Sequence, residues 1–332
     1  MGGHRLGDDL ALRLIARRLL QAAPILAIIL LANFLLLQLA PGDAVDAYVA
    51  GMGGGADAQQ IADLKAHWGL DRPLLEQAAL FMWRMLQLDL GHSFLYNQPV
   101  GVVILDRLTT TLLLMLTGTA FAFSLGIVLG VAAARRAGSW RDTLLIGLGL
   151  VAYAMPGFWL GLMMIVIFSV KLGWLPLGGL VTLGAGYEGW ERLLDIAGHL
   201  VMPTIAVSLI YLAIYMRLMR AGMLEVYGLD FVRTARAKGL DERRIAWRHV
   251  ARNALLPMVT MLGLQFSTLF GSSVVIETVF SLPGVGRLAY DSVVTRDLNT
   301  LLGIIFASAL VVIVVNLAVD LVYARLDPRI AR

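Results

Sequence analysis

Apolar residues in this chain come in long runs rather than in alternating stripes. A bilayer core takes about 20 apolar helical residues to cross. Six runs reach that length: Leu19–Leu39, Thr109–Ala134, Leu144–Val170, His199–Leu218, Ala254–Ile276 and Leu302–Tyr323. The pattern predicts an all-α polytopic membrane protein with six transmembrane helices. The second run is unbroken over 26 residues, and the sixth contains "IIFASALVVIVVNLAV", too long and too apolar for a buried soluble helix. The first run begins after Arg13, Arg17 and Arg18, and no small-residue cleavage site precedes "LAPGD". That predicts a retained helix rather than a cleaved signal peptide.

The polar segments between the runs set the orientation. Arg5, Arg13, Arg17 and Arg18 precede the first run, and Arg135, Arg136 and Arg141 follow the second. Eight Lys or Arg stand in 219–253, and Arg325, Arg329 and Arg332 end the chain. The intervening segments carry more acids than bases. Basic residues stay on the cytoplasmic side, so both termini are expected there. The expected organisation is a tail (1–18), a first span (19–39), an external subdomain (40–108) and a transmembrane domain (109–332). That domain contains a cytoplasmic loop (219–253) and an external loop (277–301).

Composition agrees: 59% of the 332 residues are hydrophobic and 15% charged, against about 25% charged in soluble domains. The net charge of +4 reflects topology, not nucleic-acid binding. Zero cysteines exclude disulfide scaffolds, thiolate metal sites and cysteine nucleophiles. The five histidines (His4, His67, His92, His199, His249) lack metal-ligand spacing. Seryl, histidyl and acidic residues are scattered on opposite sides of the membrane, so no catalytic constellation is expected.

Two loops are organised. In the external one, "ADAQQIADLKAHWGL" places Ile61, Leu64 and Trp68 on one helical face before Gly69, and "RPLLEQAALFMWRMLQL" continues as a second helix after Pro73. A folded external cap and helices lying on the membrane interface both fit. In the cytoplasmic loop, Asp230 is placed to cap "FVRTARAK", Gly239 to stop it, and Asp241 to cap "ERRIAWRHVARNALL". Arg244, Arg248 and Arg252 form an i, i+4, i+8 stripe. Ala246, Trp247, Val250, Ala251 and Ala254 form a separate apolar face, and the helix runs on into the fifth span. Charge anchoring against anionic headgroups and docking of a cytoplasmic partner both fit the basic residues.

The order of residues in this loop, Ala-Arg-Ala-Lys-Gly-Leu followed by Arg-His and Asn-Ala-Leu-Leu-Pro, resembles the EAA-type coupling loop of ABC importer membrane subunits. Among these the chain resembles the B-type permeases of the dipeptide/oligopeptide family, which also includes nickel and glutathione importers. The likeness runs from about Leu12 to Arg329. It includes "LAPGD" (39–43), "HWGLDRPL" (67–74), "LDLGHSF" (88–94), "LDRLTTTLLL" (105–114), "ETVFSLPGVGRLAYDSVVTRD" (277–297) and "NLAVDLVYARLDPRI" (316–330). One departure is Arg233-Thr234-Ala235, where the general motif has Glu-Ala-Ala. The resemblance implies a type I importer fold in the bacterial inner membrane. It implies a second, similar permease subunit, two cytoplasmic ATPases that bind ATP and Mg, and an external binding protein. By the same resemblance Arg233, Thr234, Ala235, Lys238, Gly239, Leu240, Arg244, Arg248 and His249 form the ATPase-coupling surface. No G-x-x-x-x-G-K-[ST] phosphate loop occurs in the chain, so no cofactor is expected on it.

Polar groups within spans are candidates for the translocation path. The fifth run holds Gln265, Ser267, Thr268, Ser272 and Ser273, which either line the path or serve as helix–helix contacts. Asn316 and Asp320 stand at i and i+4 in the sixth run; Asn33 and Gln38 in the first are weaker candidates. Tyr153 with Pro156, and Pro203, predict kinks. Gly126/Gly130 and Gly157/Gly161 match G-x-x-x-G close-packing pairs. In the last external loop Pro283-Gly284 predicts a turn and "GRLAYDSVV" a short helix. By resemblance Pro283, Gly284, Gly286, Arg287 and Asp291 belong to a gate near the binding protein. The competing class is a self-sufficient secondary transporter. It would need an internal proton or ion relay, and Asp320 is the one acid within a run. An intramembrane enzyme would need a nucleophile or ligand set that the spans lack.

Overall fold

A computed structural model describes residues 3–39, 72–93 and 95–326, together with Asp57, Gln59 and Asp63. The side chains of 3–17, 266–270, 272 and 319–326 are among those outside this description. The expected helix around Ile61, Leu64 and Trp68 therefore lies outside the described residues.

The described residues are mostly helical. In order come α1 (Gly3–Leu39), α2 (Leu74–Leu86) and a two-stranded antiparallel hairpin, β1 (His92–Ser93) with β2 (Gln98–Pro99). Next are α3 (Val100–Ala134), α4 (Trp140–Ala154) and α5 (Gly157–Met164), the last extended by a π-helical turn (Ile165–Lys171). Then follow α6 (Gly189–Tyr227), α7 (Asp230–Ala237), α8 (Glu242–Arg244) and a second π-helical turn (Ile245–Val250). The last elements are α9 (Ala251–Val279), α10 (Val285–Thr295) and α11 (Leu298–Leu326).

Four of these helices carry segments long and apolar enough to cross a membrane: Leu20–Leu39, Val100–Ala134, Gly189–Tyr227 and Leu298–Ala318. The third expected span is not a straight helix. It breaks between Ala154 and Gly157, and its two halves meet at 98°. Pro156 has no amide hydrogen to continue the ladder and pushes Met155 out of helical geometry, to φ −75° and ψ 131°. Pro203, by contrast, sits inside α6 without ending it.

Two compact units emerge, residues 1–109 with 288–332, and residues 110–287. In the first, α1 packs on α11 and α2 around buried Leu30, Met85, Leu302 and Phe306. Asn33, predicted as a minor path candidate, instead donates to the Leu302 carbonyl at 3.1 Å. Gln38 bonds Gln77 at 2.9 Å. In the second, α3 and α6 approach closely at Gly126 and Gly130. A Cβ on Gly126 would lie 2.6 Å from the Tyr215 Cβ, and one on Gly130 2.6 Å from the Met219 Cβ. The expected close packing of this glycine pair is therefore present. Gly161 of the other pair packs under Phe280, where an added Cβ would lie 3.0 Å from a ring carbon.

Candidate functional site

The segment 219–253 is a folded platform. Val232 and Ala235 of α7 turn inward with Ile245, Ala246 and Val250, joining Met219 and Met223 of α6 and Val131 and Ala134 of α3 in one core. Helix α7 ends in a full Schellman motif. Leu240 N donates to Ala235 O (3.3 Å) and Gly239 N to Arg236 O (2.9 Å), with Gly239 at φ +72°. Asp241 then caps the next helix, its carboxylate accepting from Arg243 N at 2.9 Å and Arg244 N at 3.4 Å. From Glu242 the helical path continues through the π-helical turn into α9, as the sequence predicted.

Two sequence expectations fail here. Asp230 is not the cap of α7: Leu229 holds that position without a side-chain bond, and Asp230 begins the helix, 3.4 Å from Arg233. Leucine precedes the first turn and the acid falls one residue inside it, where it still favours the positive end of the helix dipole. The expected apolar face is buried at Ala246, Val250, Ala251 and Ala254 and departs at Trp247. Trp247 is 41% exposed, while Ile245, Ala246, Val250 and Ala251 are buried. The i→i+5 bonding of the π-helical turn spaces buried positions five apart, 245 to 250 and 246 to 251. A wheel at 3.6 residues per turn instead puts Trp247 inside this face and Ile245 outside it.

What faces solvent is mixed in character. Arg233, Thr234, Lys238, Gly239, Arg244 and Arg248 are exposed, Leu240 and His249 half-buried and Ala235 buried. Leu229, Phe231 and Trp247 add exposed apolar surface. Asp241, Arg243, Arg244, Trp247 and Arg248 line a depression of about 480 Å³. Arg236 is neutralised internally: it forks onto Glu242 at 2.6 and 3.4 Å and lies over the Tyr227 ring at 5.7 Å. That hydrogen bond raises the Arg236 pKa further above its ordinary value. Arg243, Arg244 and Arg248 surround a hollow that Trp247 and Asp241 also line, an arrangement suited to docking an acidic, partly apolar protein surface.

The proposed gate residues form a second constellation, built on a carboxylate that the sequence reading passed over. Glu277, at the C-terminal end of α9, is fully buried. It accepts from Thr111 Oγ1 at 2.8 Å and Arg287 N at 2.9 Å, and also from the Ser273 side chain and the Gly286 amide. Thr111 Oγ1 in turn accepts from Val285 N at 2.8 Å. The first three amides of α10 are thus satisfied by Glu277 and Thr111. Gly284 and Gly286 make this possible, since a Cβ at either would lie under 3.0 Å from the Glu277 carboxylate. Pro283 is half-buried beside them.

Asp297 caps α11 in the same manner. It accepts from Thr300 N (3.2 Å), Thr300 Oγ1 (2.7 Å) and, from the hairpin, Ser93 Oγ (2.5 Å). Asp291, predicted near the gate, accepts through its carbonyl from Thr295 Oγ1 at 2.8 Å. The available signal was chemical: buried acids and hydroxyls had to find partners, and Ser93, Thr111, Glu277 and Asp297 all stand in the motif stretches quoted above.

Of the path candidates, Gln265 and Ser273 are buried and Asn316 is exposed on α11. The side chains of Ser267, Thr268, Ser272 and Asp320 lie outside the described residues. Ser273 is engaged with Glu277.

Residues 126–332 match the family model described as binding-protein-dependent transport system inner membrane component, and residues 11–115 match the model of its N-terminal region. A putative peptide transport system permease protein of Brucella abortus (strain 2308) is 37% identical over 317 residues, 96% of this chain and 98% of that one. The oligopeptide transport system permease protein AppB of Bacillus subtilis (strain 168) is 38% identical over 317 residues, 95% of this chain and 98% of that one. The glutathione transport system permease protein GsiC of Salmonella paratyphi A is 37% identical over 319 residues, 96% and 99% of the two chains. In fold, a chain of the MetNI methionine ABC transporter, solved in inward-facing conformations, superposes with a TM-score of 0.53 at 18% identity. It covers 67% of this chain and 95% of that one. This chain therefore belongs to the binding-protein-dependent transport system inner membrane components, the permease subunits of ABC importers whose ATP hydrolysis resides on separate subunits.

Proposed function

We propose that this chain is one half of the translocation pathway of a peptide importer. It crosses the inner membrane six times with both termini in the cytoplasm, and it pairs with a second, similar permease subunit. Two ATPases engage the coupling loops of the paired subunits, the 219–253 platform being this chain's, and an external binding protein delivers di- or oligopeptides. The observation that carries the substrate class is the 37–38% identity, over nearly the whole chain, to permeases named for peptide and oligopeptide transport. The platform supports the docking role through its solvent-facing Arg244, Trp247 and Arg248 around a concave surface. Arg233, Thr234, Lys238, Gly239 and His249 contribute to the same surface. Gln265 and Asn316 remain proposed path residues, and the α10 segment from Pro283 to Asp291 a proposed gate.

Uptake into proteoliposomes holding the complete importer, with labelled di- to oligopeptides, glutathione and Ni²⁺ as parallel substrates, tests this reading. ATP-dependent accumulation of peptides alone is the expected result. Glutathione is the second reading, favoured by the GsiC relative, and its exclusive uptake would replace the first. Accumulation by the isolated chain without ATPases would overturn both in favour of a secondary transporter.

A further inference from the structure

Helix α4 begins beside α6 in a tightly built contact. Asp142, in the first turn of α4, is 3% exposed. It receives both ends of the Arg220 guanidinium, Nε to Oδ1 and Nη2 to Oδ2, each at 2.7 Å. Its Oδ2 also accepts from Gly138 N at 2.9 Å, where Gly138 turns the chain at φ +78°. Asp142 is buried and Arg220 partly exposed; a bidentate pair fixes both distance and angle between the elements it joins, and removing Arg220 leaves the buried Asp142 charge uncompensated.

The location of the pair matters more than its strength. Arg220 stands between Met219 and Met223 on α6, and both methionines are fully buried in the same core as Val232, Ile245 and Val250 of the platform. Helix α4 follows α6 from there: Gly149 sits under Met216, and Arg217 lies over the Tyr153 ring at 5.4 Å. It then meets the 98° break and passes into α5. Gly157 and Gly161 of α5 abut Ile276 and Phe280 at the far end of α9. The platform is joined to α9 directly through a continuous helical path. Its connection to the bent pair α4–α5 runs through the α6 junction, where Arg220 holds Asp142.

We infer that Asp142 and Arg220 are positioning residues that couple the platform to the bent helix pair, so that a displacement of the ATPase-facing loop moves α4–α5 together with α9. The inference rests on the proposed coupling role of 219–253. It gives the chain two transmission routes, one along the helix into α9 and one through a charged clasp. Loss of the clasp leaves α4–α5 tied to α6 and α9 by packing contacts alone, which fix neither the distance nor the angle that the forked pair fixes.

The test uses the complete importer in proteoliposomes, with uptake and ATP hydrolysis measured together. Asp142→Asn and Arg220→Gln are expected to co-purify with the ATPases and to hydrolyse ATP. Their substrate imported per ATP should fall by roughly five-fold or more, the size of a typical coupling energy. Arg220→Lys keeps the charge but not the fork, and is expected to fall between these and the parent. Assembled neutral variants with an unchanged ratio would overturn the clasp. So would neutral variants that fail to assemble while Arg220→Lys keeps the parent ratio, or a failure of all three to assemble, since the pair would then only hold the fold together. Gly239→Pro, measured alongside, separates the two ideas. An unchanged ratio there rejects the coupling role of the platform, whereas a fall there with intact coupling in the clasp variants rejects the clasp alone.

Discussion

Thr111 and Glu277, separated by 166 residues in sequence, share a hydrogen bond of 2.8 Å that completes the N-terminus of α10. The threonine hydroxyl donates to the carboxylate and accepts from Val285 N. Thr111→Val keeps the shape and deletes both functions, leaving one buried donor and one buried acceptor short of a partner. Each such group costs about 1–3 kcal/mol. The purified protein in detergent is therefore expected to unfold at a lower temperature, and the amides of 285–287 to exchange faster. Glu277→Ala should have the larger effect, since it strips the same helix end of its anion. Unchanged exchange at 285–287 in both variants would show that these amides do not depend on the pair.

Asp297 gives a parallel case in the other unit. It caps α11 through Thr300 N and holds the hairpin through Ser93 Oγ, so the two effects can be separated. Ser93→Ala removes the tie to the hairpin and leaves the cap. Asp297→Ala removes both, and loss of a cap alone costs about 0.5–2 kcal/mol. Thermal unfolding should rank the parent above Ser93→Ala and Ser93→Ala above Asp297→Ala. Equal melting of the two variants would mean that the cap contributes nothing beyond the tie.

These two pairs also mark where the sequence stops being readable. The helix order, the stop at Gly239, the cap at Asp241, the short helix after Pro283-Gly284, and the glycine packing of Gly126 and Gly130 follow from local rules of spacing and turn chemistry. Ser93 with Asp297, and Thr111 with Glu277, lie 204 and 166 residues apart, and no local period encodes such a meeting. Trp247 failed for a different reason: a wheel drawn at 3.6 residues per turn cannot anticipate a π-helical turn. Pro156 announced a kink, but its angle depends on how α5 packs against α9, where Gly157 and Gly161 admit Ile276 and Phe280. Arg220 is one of eight basic residues in 219–253, and nothing in that local pattern shows that its charge is spent on Asp142.

Gly130 of α3 and Gly147 of α4 differ in what surrounds them, which makes a controlled comparison. A methyl group on Gly130 would lie 2.6 Å from the Met219 Cβ and 2.7 Å from the Met216 carbonyl oxygen. Backbone cannot yield to it, so α3 and α6 must separate. Gly130→Ala is expected to destabilise by about 1–3 kcal/mol, the range for overpacking. Gly147, inside α4, has nothing within 4 Å of its would-be Cβ. Gly147→Ala is expected to stabilise by about 0.5–1 kcal/mol through helix propensity alone. Thermal or denaturant unfolding in detergent compares them directly, and a Gly130→Ala protein as stable as the parent would contradict the close approach.

Gly239 is constrained by conformation rather than by space. Its φ is +72°, and no atom stands within 4 Å of where a Cβ would be. Gly239→Ala therefore meets no clash and carries only the left-handed penalty, about 1–2 kcal/mol for an L-residue. Asparagine tolerates this conformation better than alanine, so Gly239→Asn should restore most of the loss. Relief of strain would open the Schellman motif and swing α7 relative to Asp241, altering the surface formed by Arg233, Lys238, Arg244 and Arg248. The expected order for ATPase retention on the purified permease, and for transport per ATP, is parent, then Asn, then Ala. A reversed order, with alanine equal to the parent and asparagine impaired, would show that side-chain size at this position, not the sign of φ, governs the docking surface.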